Sequence, residues 1–460
     1  MARGTWDAVK GLLWLMAAIF CIAIGTGAMT YALPSANGRI QYRFADDGPS
    51  FSDLDAVKKQ MAKASQDGSA QSSLTAWSQT TQSEAVCDQT GAALIVDTLW
   101  IDGPAANIWP WLAIEGSLPV MGSEKLCALD TKSANLLFGS TNILGQKIKV
   151  DGISFTITCV YKAPEGISAW GTDNGRGLLL CPAQALESPP AIHAMDFAVY
   201  PNDSQSAAEW AENWLNAGGM SAPSQPQVMS DHSRLLTSAT SFAMLVLLLC
   251  IVLPLLKAAF AFLRSGLIRC QAVFADRQAP RHLGWQQLSL FGMASVVLLC
   301  LAWYLTTLPA MTFDIPPSYL PTRWSDLSFW QTLAKNLAEQ NVDRAMAGIL
   351  RIDLIREHLM NLSGTLSLAA VLFLLFSVLA MRKSAKAGVS LLTTFGLMLA
   401  AIAFIPLSML AARQLGLSPT APGGLIVLCP FFVAVSQLCG FVSEKLLTNP
   451  LNHTIKEEFQ

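Results

Sequence analysis

The sequence predicts a membrane protein in which a bundle of six transmembrane helices carries one α+β domain outside the membrane. Charged residues make up 13% of the 460 residues, against roughly 25% in ordinary soluble domains. The apolar residues collect in blocks of roughly 20, the length that a helix needs to cross a hydrocarbon core of about 30 Å. Residues 34–237 form the one long stretch without such a block, so we expect them to fold as the domain.

The first apolar block, Leu12–Tyr31, follows Arg3 and Lys10 and predicts a first span within residues 1–33, with a cytoplasmic N-terminus. The block is longer than the apolar region of roughly 7–15 residues in a signal peptide, which favours an uncleaved helix. Five further blocks predict the remaining spans, at residues 238–264, 286–308, 363–381, 388–412 and 423–443.

The charges beside these blocks predict how the chain crosses the membrane. The stretch Arg264–Trp285 carries four arginines against one acid, and the loop after the fourth block carries Arg382, Lys383 and Lys386 with no acid. Because positive charge marks cytoplasmic loops, we expect both loops and the tail 444–460 in the cytoplasm. The loop 309–362 holds five basic and six acidic residues and is expected outside. The predicted location is the inner (cytoplasmic) membrane.

The domain at residues 34–237 is acidic and mixes helices with strands. It contains 12 Lys and Arg against 21 Asp and Glu, which argues against nucleic acid as its partner. The dipeptide Asp151-Gly152 predicts a tight hairpin turn. Periodicity predicts helices at Ser52–Lys63 and Gln205–Ala217 and strands at Ala92–Trp100, Lys147–Val150, Ser154–Tyr161 and Gly177–Cys181.

The second outer loop has its own pattern. Between Asp326 and Leu359, apolar residues recur at helical spacing and predict two short amphipathic helices. These helices either lie on the membrane surface or pack against the domain. A packing role is a simpler interpretation than contact with a substrate.

Four cysteines lie in the domain, namely Cys87, Cys127, Cys159 and Cys181. In an oxidising compartment such cysteines are able to form disulfides. The alternative is four buried thiols, and the sequence does not fix a pairing. No cysteine has the C-x-x-C spacing of a metal site and the histidines are scattered, so we expect neither a metal nor a cofactor.

No motif for nucleotide or covalent chemistry is present. The sequence lacks the phosphate-binding G-x-x-x-x-G-K-[ST] loop, the G-x-S-x-G elbow and the H-E-x-x-H helix. Lys257 is the only ionisable residue inside an apolar block, which argues against proton or sodium coupling within the spans. We therefore expect no enzymatic activity, and a driving force that another chain supplies.

A series of short segments between Ile108 and Leu215 resembles the extracytoplasmic core domain of MacB-type permeases. In order they are WPWLAIEGSL at Trp109–Leu118, KLCALD at Lys125–Asp130, SANLLFG at Ser133–Gly139, ILGQKIKVDGISFTITCV at Ile143–Val160, LLLCPAQA at Leu178–Ala185, and the strand and helix of Phe197–Leu215. The order and spacing of the segments carry the resemblance. The layout of one span, a large outer domain and then the other spans is similar to that of MacB, LolC/LolE and FtsX-like ABC permeases.

The resemblance implies an α+β MacB-like core domain with recognisable motif positions. Gly145 and Gly152 are expected at turns that need a positive φ or close backbone approach. Phe138, Ile148 and Phe155 are expected in the core, and Gly139 ends the helix of the motif. These residues carry no chemistry of their own, so the motif identifies a fold and not a reaction.

The resemblance also implies a function. It implies a permease subunit that passes ATPase motion to a periplasmic domain and thereby exports or extracts a substrate. ATP would be hydrolysed by a separate ABC ATP-binding subunit. The permease would act as a dimer with a second copy or a paralogue, and a periplasmic partner can join. Two alternatives remain, namely an FtsX-like regulator of an envelope enzyme that transports nothing, and a membrane scaffold or receptor without an ATPase.

In such permeases a short cytoplasmic helix docks on the ATPase, and Leu267–Ala275 is the matching segment here. Arg264, Leu267, Arg269 and Arg277 are the coupling candidates, with the arginines pairing with acids of the ATPase. The same arginines are equally explained by topology alone. The loop lacks the arginine- and glutamate-rich signature that is usual in the family, and the chain has two spans more than the four of MacB.

Overall fold

A computed structural model describes most of the chain, in two compact units. The described residues are 2–32, 39–44, 48–108, 111–122, 124–170, 174–201, 207–220, 229–275, 289, 292–297, 299–300, 303–304, 320–321, 323, 325–346, 350–387 and 390–447. The helical unit comprises Met1–Gly27, Thr237–Phe313 and Leu362–Gln460, and the mixed unit comprises Ala28–Leu236 and Asp314–Asn361.

The mixed unit is built on ten described strands. They are β1 (Arg39–Arg43), β2 (Ala70–Cys87), β3 (Ala93–Pro104), β4 (Ala113–Gly116), β5 (Val120–Met121), β6 (Leu126–Asp130), β7 (Lys147–Val150), β8 (Ile153–Tyr161), β9 (Gly177–Pro182) and β10 (Ala194–Pro201). The strands form one sheet in the order β1-β10-β2-β7-β8-β6-β9-β3-β5, with β4 beside β8. Strand β2 also pairs with β3, so six of the strands close a circuit.

Strand β2 holds the sheet together because it pairs with β10, β3 and β7 at once. A bulge between Thr80 and Ser83 shifts its register against β3, and Gln82 has a φ of 65° there. The parallel pairs β3–β9 and β6–β8 make the sheet mixed. The predicted strands therefore exist with small shifts at their ends, whereas β1 and β2 were not predicted.

One face of the sheet forms the main core with three helices, α2 (Leu54–Gln66), α3 (Thr131–Phe138) and α4 (Ala207–Ala217). Helix α2 buries Leu54, Val57 and Met61 on one side, as its spacing predicts. A capping box between Ser50 and Asp53 satisfies the first N–H groups of the turn that leads into α2.

The opposite face of strands β1, β10, β2 and β3 is polar. Because side chains alternate along a strand, Gln41 and Asp196 point away from the core that holds Tyr42 and Phe197. We call this surface the polar face and define it by Gln41, Arg43, Trp77, Gln79, Asp97 and Asp196. Asp97 and Asp196 are nonetheless buried, so another element covers them.

The helical unit is drawn from five further long helices. They are α1 (Ala2–Ala32), α5 (Met229–Ala275), α7 (Arg351–Lys386), α8 (Leu391–Gln414) and α9 (Gly424–Leu447). Within the described residues, four helical stretches are long and apolar enough to cross a membrane: Gly4–Tyr31, Thr240–Ile268, Arg351–Lys386 and Leu392–Gln414. The predicted sixth span corresponds to a shorter apolar stretch, Gly424–Gln437. The predicted third span, 286–308, lies largely outside the described residues.

Two helices extend beyond the predicted limits of their spans. Helix α5 continues without a break to Ala275, so about three of its turns occupy the start of the predicted loop 265–285. The second predicted amphipathic helix of the outer loop is likewise not separate, because α7 begins at Arg351 and runs on through the fourth span. The first amphipathic helix is α6 (Leu327–Met346). Polar residues alone do not end a helix, and hydropathy therefore does not mark where α5 and α7 stop.

Helices α1 and α7 pack closely through small residues. A Cβ added to Gly4 would lie 2.6 Å from Ala387 Cβ, and one added to Gly11 would lie 2.8 Å from Met381 Cγ. Ser377 Oγ donates a hydrogen bond of 2.7 Å to the Gly11 carbonyl oxygen. Small residues allow membrane helices to approach in this way, and the glycines are therefore part of the interface.

Candidate functional site

The first three turns of α7 cover the polar face. We call residues 351–361 the docked segment, since they belong to the mixed unit while the rest of α7 belongs to the helical unit. Ile352, Ile355 and Leu359 recur on one side of the segment and are almost fully buried. The amphipathic pattern of the outer loop thus marks a packing element in this part of the chain.

Asp97 is the first of two acidic centres beneath the docked segment. Its carboxylate is fully buried and accepts a hydrogen bond of 2.7 Å from Asn174 Nδ2. Arg176 Nη1 lies 3.5 Å from Asp97 Oδ1, and Arg351 Nη1 lies 3.6 Å from Asp97 Oδ2. Two guanidinium groups therefore face one carboxylate, one from the domain and one from α7.

Arg351 is also held by two neutral groups of the domain. Its Nη1 donates to the Arg176 carbonyl oxygen at 2.8 Å. Its backbone N–H, at the start of α7, donates to Gln79 Oε1 at 3.2 Å. The first N–H groups of a helix lack partners within the helix, so Gln79 satisfies one of them.

Asp196 is the second acidic centre. Its Oδ2 accepts a hydrogen bond of 2.6 Å from Trp77 Nε1 and a longer one of 3.4 Å from Gln41 Nε2. Burial raises the pKa of Asp196, and the charge of Arg356 is the largest influence in the opposite direction. Arg356 is itself buried, at 4% exposure.

The burial of Arg356 is energetically unfavourable. Burial lowers the pKa of its guanidinium, and Asp196 and then Asp353 oppose that effect. Within the described residues, its Nε and Nη1 have no hydrogen-bond acceptor. A buried donor without an acceptor costs free energy, because water would have satisfied it.

Arg43 and two aromatic contacts complete the arrangement. Arg43 forms an ion pair with Asp353 of the docked segment, and its guanidinium lies 4.7 Å from the centre of the Trp77 ring. The His358 ring meets Trp170 edge-on, with 6.0 Å between centroids. Asp353 lies in the first turn of α7, where a negative charge favours the helix dipole.

This site is suited to holding two surfaces together. No cluster of three or more His, Cys, Asp or Glu able to hold a metal occurs among the residues that the structure describes. The carboxylates face arginines, amide groups and an indole. The arrangement matches acids of the sheet with bases of the helix, which fixes the position of the docked segment.

The motif residues of the family resemblance lie at turns and in the core. Gly145 and Gly152 have φ values of 78° and 86°, as expected, and Gly139 ends α3 with a φ of 70°. Ile148 and Phe155 are buried in the main core, and Phe138 packs against it half-buried. The predicted hairpin turn is present, since Asp151 also has a positive φ, of 48°.

The four cysteines of the domain are buried free thiols in the structure. Cys87, Cys127 and Cys181 belong to the main core. Burial raises the pKa of the Cys127 and Cys181 thiols and that of Cys159 to about 11. The disulfide alternative stays a prediction that solution chemistry can test.

The coupling candidates are described only in part. Arg264 and Leu267 are exposed on α5, with Leu267 at 47%. Arg269 lies in the last turns of the same helix, and Arg277 lies outside the described residues.

A cleft of about 450 Å³ opens at the start of α3. Thr131, Lys132, Asn135, Lys162 and Glu165 are among its lining residues. Lys162 Nζ lies 3.4 Å from Glu165 Oε2, so these two side chains form an ion pair at the cleft.

Sequence reasoning missed the polar face because its acids lie on separate strands far apart in sequence. One signal was present in the helix. Arg356 stands on the same helical side as Ile352 and Leu359, where an apolar residue is usual. A charge on the apolar side of an amphipathic helix indicates that an opposite charge is buried beneath it.

Comparisons with known proteins give fold-level similarity alone. No family model matches the chain, and no curated protein matches it. The periplasmic region of MacB from Actinobacillus actinomycetemcomitans is 13% identical, with 42% of this chain and 91% of that chain covered and a TM-score of 0.29.

Two further solved structures are similar to the chain. The extracellular domain of the ABC-type transporter YknZ from Gram-positive bacteria is 13% identical, covering 41% of this chain and 97% of its own, with a TM-score of 0.27. A domain described as part of a permease protein from Porphyromonas gingivalis is 12% identical, covering 40% and 84%, with a TM-score of 0.27. MacB-type domains, which the sequence resembles, are thus among the structures to which this chain is similar.

Proposed function

We propose that this protein is the permease subunit of an ABC-type transporter, in which a separate ATP-binding subunit supplies the driving force and the mixed unit works outside the cell membrane. One observation carries the proposal. The segment that resembles the MacB core folds as a continuous series from β4 to α4, with its glycines at turns and its large apolar residues in the core. This domain lies in sequence between two apolar helices, α1 and α5.

The composition of the spans supports the need for a partner. The apolar blocks of the sequence hold one charged residue, Lys257, and the sequence has no phosphate-binding loop. Such spans offer no internal site for an ion gradient to act on. Energy from an ATPase would enter through the cytoplasmic end of α5, at Arg264, Leu267, Arg269 and Arg277.

The coupling element would be the extended end of α5 and not a separate helix. Because α5 continues to Ala275, a force applied to its last turns is carried by hydrogen-bonded helix into the second span. We propose in addition that the permease forms a dimer with a second copy or a paralogue, and that it acts with a periplasmic partner.

Two alternatives share much of this architecture. An FtsX-like regulator would keep the ATPase and lack a cargo. A scaffold or receptor would lack the ATPase, and the basic loop 265–285 would then serve topology alone.

Copurification tests the proposal. The full chain is isolated in mild detergent from its native host, and copurified proteins are identified by mass spectrometry. We expect an ATP-binding subunit, and we expect Arg269→Glu with Arg277→Glu to reduce its recovery at least about tenfold, because reversed charges repel an acidic docking site.

The matched control reverses two exposed charges of the outer loop, Arg323→Glu with Lys335→Glu. This variant should retain the ATPase. Absence of any ATPase under gentle conditions would favour the scaffold or receptor. If both variants retain the ATPase, the proposal of an ATP-binding partner stands, but the assignment of Arg269 and Arg277 as coupling residues is wrong.

A further inference from the structure

We infer that the docked segment is a reversible latch, which leaves the polar face while the rest of the domain stays folded. Three observations support this inference. The segment is attached through side chains, Asp97 and Asp196 keep hydrogen-bond partners when it leaves, and, in the part of the chain that the structure describes, Arg356 is buried with unsatisfied nitrogens.

The docked segment is attached by side chains. The strands of the domain hold one another through backbone pairing, whereas residues 351–361 add no strand to the sheet. The described polar attachments are those of Arg351 to Gln79, Asp97 and Arg176 and that of Asp353 to Arg43. Breaking them, together with the apolar contacts of Ile352, Ile355 and Leu359, separates the segment without opening the sheet.

Both acids keep partners when the segment leaves. Asp97 retains Arg176 and Asn174, and Asp196 retains Trp77 and Gln41. The exposed polar face would then be hydrated, and its carboxylates remain hydrogen-bonded in the open state. An apolar face exposed in the same way would lose far more stability.

The closed state contains charge that is expensive to bury. A buried ion pair gains little over its separated, hydrated partners. Arg356 adds two buried nitrogens without acceptors in the described structure. Ile352, Ile355 and Leu359 therefore hold the latch closed, and the charges set its position without making it permanent.

The latch gives the proposed transporter a connection between its parts. Since α7 is one helix from Arg351 to Lys386, the docked segment cannot leave the polar face without involving the span that follows. This role rests on the proposed function, whereas reversible docking can be measured in the isolated chain.

Hydrogen exchange on the full-length chain in detergent, without any ATPase, tests the latch. Amides of residues 351–361 should exchange at least about tenfold faster than those of β2 and β10, because the segment opens below the global unfolding free energy. If the segment exchanges only together with β2 and β10, it is a permanent part of the domain core. That result would overturn the proposal.

Asp196→Asn should raise the exchange of the segment about tenfold further and leave β2 and β10 unchanged. The asparagine oxygen still accepts from Trp77, whereas Arg356 loses its strongest counter-charge. Asp196→Asn combined with Arg356→Met should restore slow exchange, because neither charge remains unpaired. Failure of the double variant to slow exchange would contradict charge-based docking.

Asp102→Asn is the matched control. Asp102 is also a buried acid of β3, but it pairs with Lys58 of α2 at 2.7 Å and not with α7. Its replacement should not raise exchange of the segment relative to β2 and β10. These measurements do not depend on an ATPase. They test the latch even if no ATPase copurifies and the proposed function fails.

Discussion

At the scale of single residues, the domain separates two kinds of buried polar group. The carboxylates of Asp97 and Asp196 face Arg351 and Arg356 of α7, so they specify where α7 binds. The thiols of Cys127, Cys159 and Cys181 have no such role, and burial raises their pKa values. A thiol is reactive through its thiolate, so these cysteines are chemically inert while the domain is folded.

Thiol labelling checks this. In the native full chain at pH 8, iodoacetamide should leave Cys87, Cys127, Cys159 and Cys181 unmodified, because all four are buried. After denaturation without a reductant, all four should be labelled, as read by peptide mass spectrometry. Lys59→Cys, which introduces an exposed cysteine on α2, is the control and should be labelled natively. Two or four cysteines that label only after reduction would instead establish the disulfide alternative.

Single residues also show which features can be predicted from local sequence and which cannot. Asp151-Gly152 predicts its turn because few residues tolerate positive φ, and the turn is where it was expected. Asp97 and Asp196 were not predicted as buried, because their burial depends on α7, which begins at Arg351, more than 150 residues later in the chain than either acid. Local patterns do not contain such a contact.

At the scale of elements, the long strand β2 explains why the sheet was only partly predicted. Its sequence, AQSSLTAWSQTTQSEAVC, is rich in Ser, Thr and Gln. It lacks an alternation of apolar and polar residues, because its outward side chains meet the docked segment and not water. Strands such as β7 and β8, which alternate, were predicted nearly to their ends.

The packing of α1 against α7 gives an element-scale prediction. Gly11→Leu should destabilise the helical unit by about 1–3 kcal/mol, since the new side chain overlaps Met381 and separates the helices. The thermal midpoint in detergent should fall. Gly396→Leu is the matched control on α8, where an added Cβ meets nothing within 4 Å. Equal midpoints for the two variants would contradict the close α1–α7 contact.

At the scale of the whole molecule, the charge of the loops predicts a topology that remains to be measured. The domain residue Lys59 is expected outside and Lys383, after the fourth span, in the cytoplasm. A membrane-impermeant maleimide added to intact spheroplasts should label Lys59→Cys and leave Lys383→Cys unlabelled. Both residues are exposed, so lysis should make the second variant reactive. Labelling of Lys383→Cys before lysis would show that the chain crosses the membrane in the opposite orientation.

The overall layout was predictable because lipid demands long apolar helices, which composition reveals directly. The extents of α5 and α7 were not, since both continue past the apolar blocks that identified them. A hydropathy pattern marks where a helix meets lipid. It carries no information on how far the same helix extends into water or onto another surface.

The continuity of α7 constrains how sequences related to this one can diverge. The helix has 36 residues, about 54 Å at 1.5 Å per residue. Inserting one residue between Leu359 and Ser363 would turn the buried side of the docked segment by about 100° relative to the rest of the helix. An insertion of seven would restore the direction to within about 20°. The length of this stretch is therefore nearly fixed over evolution, apart from insertions of seven residues.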